Sequence, residues 1–228
     1  FFIAQYFRDN YEQSLNKLPF VGAQTVINKI EVWVTNKTRQ TEEVREIVAF
    51  QDLGETNKIY NTAHVFSSGG TYPENKANNL YNIITRSPNS GDFRDPSRCI
   101  SFLESNGFQA VDDFEKVSAR KLAPTEYTFN PQLGYISLNQ QLRPDEVLGV
   151  AIQYTVNGAV HQIGEFATDL PPLADTTKTK DQILALKMLK ATSIRTTEPI
   201  WNLMMKNVYS LGAYNISPDQ FIFDIYYI

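Results

Sequence analysis

The carboxylates are the first residues to weigh for chemistry. Asp112, Asp113 and Glu115 cluster, and Asp145 stands next to Glu146. Two carboxyls can share acid and base work when they face each other about 5–10 Å apart in a cleft. Here one group flanks an expected strand and the other lies in an expected turn. Solvated surface is therefore the expectation for both, with a hydrolase using Asp112 to Glu115 as the rival. Asp92 and Asp95 share a loop and could touch calcium, but the spacing of a dedicated calcium loop is absent. His64 and His161 are the only two histidines, too few for a three-histidine zinc site, and they lie far apart in the sequence. Cys99 is the single cysteine, so no internal disulfide forms, and it reads as a small buried apolar residue and not as a nucleophile. "SSGGTYP" (Ser67 to Pro73) has the glycines of a phosphate loop but neither its Lys nor its Ser/Thr, so it reads as a turn. No Gly-x-Ser-x-Gly elbow occurs. The expectation is a non-enzymatic chain with no catalytic, cofactor or metal residues.

The totals fit that expectation. A chain of 228 residues makes one large domain or two small ones, and either buries a real core. Hydrophobic residues make up 42% and charged residues 20%, which is a folding composition. The net charge is −4 and no basic stripe appears, so no nucleic-acid partner is expected. The 14 Phe and 12 Tyr suit cross-strand pairs in a β-rich core, or else a partner surface. No apolar run approaches the ~20 residues of a membrane helix. The chain begins at Phe1 inside a helical pattern and stops at Ile228 inside a strand pattern, so an internal piece of a longer polypeptide is expected.

Periodicity gives the elements. Ile3, Phe7, Tyr11, Leu15 and Leu18 recur at helical spacing, which predicts one helix up to Pro19. "NKIEVWVTN" alternates as a strand, "VREIVAFQDLG" is a second, and residues 55–76 read as a long loop. "KANNLYNIITR" predicts a short helix. In "RDPSRCISFLESNGF" Asp95 suits a cap, Pro96 the first helical position and Gly107 the exit. Residues 114–122 predict a strand. Turns at 131–134 and 143–146 then separate strands, and Leu148, Val150, Ile152, Tyr154 and Val156 share a face up to Asn157-Gly158. That pair takes positive φ readily, as a type I′ hairpin needs. A linker is expected over 169–179, with Thr179 and Gln182 matching a capping box. "DQILALKMLKA" (181–191) is apolar around much of a helical circumference and predicts a buried helix. In the closing "FIFDIYYI", Phe221, Phe223, Ile225 and Tyr227 share one face of a predicted strand, for which a membrane strand is the rival reading. The fold class expected is α+β and β-rich: a sandwich or meander-like sheet with the type I′ hairpin, plus three to four helices. Residues 1–168 form the main region, 169–179 the linker, and 180–228 a C-terminal part that packs on the same body.

Longer blocks carry a resemblance. "AQYFRDNYEQSL" (Ala4 to Leu15), "INKIEVWVTN" (Ile27 to Asn36), "ARKLAPTEYTFNPQLGYISLNQQLRPDEVLGVAIQYT" (Ala119 to Thr155), "VHQIGEF" (Val160 to Phe166) and "WNLMMKNVYSLGAY" (Trp201 to Tyr214) resemble the SprA/Sov family. The likeness spans nearly the whole chain and is weakest over 55–73 and 169–179. SprA/Sov proteins are very large outer-membrane translocons of type IX secretion, tied to gliding motility. The resemblance implies a soluble, non-enzymatic module of a giant single-chain barrel through which folded cargo passes. Its implied partners are the rest of that barrel, other secretion subunits and cargo, on either the extracellular or the periplasmic side of the outer membrane. The family carries no catalytic residues, so none transfers. Asp175 to Thr177 also fits a short O-glycosylation pattern of such bacteria. The alternative is a carbohydrate-binding β-module at the cell surface, with Trp33, Trp201 and tyrosines stacking on sugar.

Overall fold

Alternating apolar residues over 25–35 make the longest strand, and the rest of the architecture is built against it. The computed structural model describes residues 1–37, 43–86, 90–170 and 182–206, with Ser217, Asp219, Ile222, Asp224 and Tyr226 beyond them. Among these residues the strands are β1 (Thr25–Thr35), β2 (Val44–Phe50), β3 (Phe114–Lys121), β4 (Tyr127–Asn130), β5 (Tyr135–Leu138), β6 (Leu148–Val156), β7 (Ala159–Ile163) and β8 (Leu184–Lys190). The helices are short: α1 (Gln5–Asp9), α2 (Tyr11–Leu15), α3 (Leu80–Thr85), α4 (Ser90–Arg94), α5 (Cys99–Ser105) and a 3₁₀ turn at Pro199–Leu203. The chain is a β-rich α+β fold, as the sequence predicts.

The main sheet closes on itself. β1 runs antiparallel to β6 from Thr25 opposite Val156 to Val34 opposite Leu148, with a bulge at Asn28. It also pairs with β3 through Trp33 to Thr35. β3 pairs antiparallel with β2, β2 parallel with β8, and β8 antiparallel with β6. The pairings therefore form a ring, β1-β3-β2-β8-β6, while β7 extends the sheet from the remaining half of the β6 edge. Trp33, Ile47, Ala119, Ala151, Leu184 and Leu186 come one or two from each ring strand and pack as a single cluster. The register places them on one face, with Ile47 opposite Leu184, Arg45 opposite Ala119 and Trp33 opposite Gly149, and that face is the enclosed one. Phe166 and Leu170 join that cluster from the chain after β7.

Two further clusters cover the outside. Phe2, Ile3 and Phe7 pack with Tyr127 and Ile136 against Val32, Val150, Ile152 and Tyr154. Residues 51–113 leave β2 at Phe50 and return at its register partner Phe114. They carry Leu53, Leu80, Ile84, Phe93, Cys99, Leu103 and Phe108, which bury against Val48, Phe50 and Ala185. Each large side chain buried there stabilises by about 1.5–3 kcal/mol before entropy is subtracted.

The hairpin at the end of β6 is as predicted: Asn157 has φ 49° and Gly158 φ 79°, and Val156 faces Ala159. Four expectations need correction. The helix expected over 181–191 is not found among its described residues: Leu184–Lys190 is strand β8, with all its residues buried. A strand covered on both faces is apolar without alternation, and over seven residues that pattern matches a buried helix equally well. The first helix is not continuous. It breaks at Asn10, whose Nδ2 donates to the Tyr6 carbonyl at 2.8 Å, and α2 buries none of its residues. A side chain bonding the i−4 carbonyl competes with the helix ladder. Asp95 does not cap α5. It closes the turn before it, accepting from the Ser97 N–H at 2.8 Å, and the helix starts at Cys99. One helix, α4, stands where a loop was expected. Thr179 of the expected capping box, most of the expected linker, and Phe221, Phe223, Ile225 and Tyr227 of the expected last strand lie outside the described residues.

Candidate functional site

The residues that sequence reading singled out do not converge. Asp112 is 2.5 Å from Arg195, whose other guanidinium nitrogen reaches Glu198 at 3.1 Å. Asp113 accepts from the Gln109 N–H at 2.7 Å and the Asn61 amide at 3.0 Å. Glu115 accepts from the Thr192 N–H at 2.6 Å and from its hydroxyl. Asp112 and Glu115 thus hold the segment after β8, at Arg195 and Thr192, while Asp113 turns to Asn61 and Gln109. Asp113 is the most notable of them, because its Oδ1 is buried without a partner and burial pushes its pKa up. It lines a surface hollow with Tyr60, Asn61, His64 and Asp112. His64 is exposed there, its ring 6.4 Å from Phe108.

The remaining candidates have structural partners. His161 Nδ1 is 3.0 Å from Glu74 Oε2, and its ring stacks on Tyr154 at 5.3 Å. The Tyr154 hydroxyl donates to the Pro73 carbonyl at 2.7 Å, and the Asn75 side chain bridges the Gly164 N–H and C=O. The β6–β7 hairpin therefore clamps residues 73–75. Arg98 binds both Asp92 and Asp95, at 2.7 and 3.0 Å. Asp145 pairs with Lys37 at 2.9 Å, and Glu146 accepts from the Arg143 N–H. Ser67 accepts from the Gly69 N–H within its own turn, and the Ser68 hydroxyl donates to the Lys76 and Ala77 carbonyls. Cys99 is fully buried, and burial pushes its thiol up to about 12. Trp33 is 0% exposed inside the ring, and Trp201 is half-buried with the Lys206 ammonium over its ring. Among the described residues no group of three or more His, Cys, Asp and Glu is placed to hold a metal.

What the fold does gather is a pair of buried charge clusters that the sequence reading missed. Lys187 lies in the middle of β8 and is 1% exposed. Its ammonium pairs with Glu55 Oε1 at 2.8 Å and donates to the Gln51 carbonyl. The Glu55 carboxylate also accepts the Gln5 N–H of α1, at 3.2 Å to each oxygen. Next to it, Asp52 accepts the N–H groups of Tyr60 and Asn61, both at 2.8 Å. Asn78 donates to the carbonyls of Asp52 and Glu55. Burial pushes both the Asp52 and Glu55 carboxyls up, and the Lys187 charge works against that. The second cluster centres on Glu165, just after β7. Arg94 of α4 binds it in a fork, at 2.6 and 2.5 Å, and also donates to the Ile183 carbonyl at 2.7 Å. The Tyr81 hydroxyl of α3 and the Ala185 N–H of β8 complete the carboxylate. Burial works against the Arg94 charge, yet Glu165 holds its pKa above the ordinary value. Burial, followed by the Glu165 charge, pushes Tyr81 up.

Both clusters join the 51–113 excursion to β8 and its neighbours. A signal for the first was present: a Lys in the middle of "LALKMLK" must find an anion if the run is buried on both faces. A helix reading hides it by placing Lys187 at a solvated rim. No protein-family model matches the chain, and no curated protein matches it.

Proposed function

We propose that this chain is a folded, non-enzymatic module of a giant outer-membrane translocon of type IX secretion, scaffolding or gating the channel and contacting partner subunits or cargo. The resemblance of its long sequence blocks to the SprA/Sov family motivates the reading. The observation that supports it is the use of buried charge: Lys187–Glu55 and Arg94–Glu165 fasten an inserted lobe to a closed ring of strands. Charges so placed give a stiff body, which is what a part of a conduit needs. A ring also leaves few strand edges open to unwanted pairing. Contact with partners then falls to exposed apolar side chains, among them Leu18 (67% exposed), Phe20 (78%), Phe66 (59%) and Val160 (61%). The carbohydrate-binding alternative loses its first stacking platform, since Trp33 is enclosed in the ring.

The test is site-specific photo-crosslinking in intact secreting cells, with the probe at Phe20, Phe66 or Val160 in the full-length parent protein. Adducts to secretion subunits or to exported proteins are the expected result. Adducts to surface glycan alone, together with unimpaired export when the module is deleted, would remove the proposal.

A further inference from the structure

No further inference is drawn: the strongest candidate, the exposed Leu18–Pro19–Phe20 turn beside the hollow lined by Tyr6, Phe7 and Thr25, is an unpartnered apolar surface, and nothing in the structure shows what covers it.

Discussion

Replacing Lys187 with Met tests the central contact directly. Met keeps the length and apolar stem of the side chain and removes only the ammonium. The change leaves the Glu55 carboxylate, whose side chain is 3% exposed, without its counter-charge. Removing one partner of a buried pair costs about 3–5 kcal/mol, because the remaining charge stays desolvated. For a chain of this length that is roughly 6–20 °C in Tm. The loss depends on pH in a defined sense. Burial already raises the Glu55 pKa, so its folded value lies above its unfolded one. A carboxyl raised in this way favours the native state at acid pH and loses that contribution as pH rises through the folded pKa. Removing Lys187 raises it further, so the deficit of the variant shrinks on acidification and grows towards neutrality. Thermal melts followed by circular dichroism from pH 4 to 8 measure this. The double variant Lys187→Met/Glu55→Gln keeps an acceptor for the Gln5 N–H and removes the stranded charge. It should recover much of the loss. A single variant melting within about 2 °C of the parent at pH 7, or a double variant no better than the single, refutes the argument.

Four further outcomes follow from the same physics. Gly134 has φ 65°, and a Cβ there would lie 2.0 Å from the buried Phe7 ring, so Gly134→Ala should cost about 2–5 kcal/mol by strain plus overpacking, read from denaturant melts. Gly158 has φ 79° with nothing within 4 Å of the added atom, so Gly158→Val should cost only the strain of the turn, about 1 kcal/mol or more, and equal losses at the two sites would contradict this ordering. Asp113 is raised by burial, so its contribution to stability is complete below the unfolded carboxyl pKa and falls as pH rises through the folded one; Asp113→Asn should therefore gain on the parent in Tm as pH goes up, and a constant gap counts against it. Cys99 should resist thiol reagents in the native protein, its labelling keeping pace with global unfolding in a denaturant series, whereas rapid labelling without denaturant would mean that the lobe opens locally.

Elements set by local chemistry were legible. The Asn157-Gly158 turn is specified by two residues that accept positive φ, and β1 and β3 by alternation against a half-polar face. Where packing on both sides erased the alternation, as in β8, the pattern fitted helix and strand alike. Ring closure lies beyond any window, because β1 meets β6 across more than a hundred intervening residues. Long sequence separation likewise hides Lys187–Glu55 and Arg94–Glu165, each a pair of ordinary charges until the fold brings them together. Conversely, Asp112, Asp113 and Glu115 are close in sequence but take different partners, since Asp112 and Asp113 sit in the turn before β3 and Glu115 is in the strand itself.

The lobe over residues 51–113 departs and re-enters at the facing pair Phe50 and Phe114, so a tug on it arrives at one end of a two-strand ribbon. Load applied there opens such a ribbon rung by rung, the weakest way to strain it. Arg94–Glu165 and Lys187–Glu55 tether the lobe to other strands, so the pull is shared across the wall and the ribbon is spared.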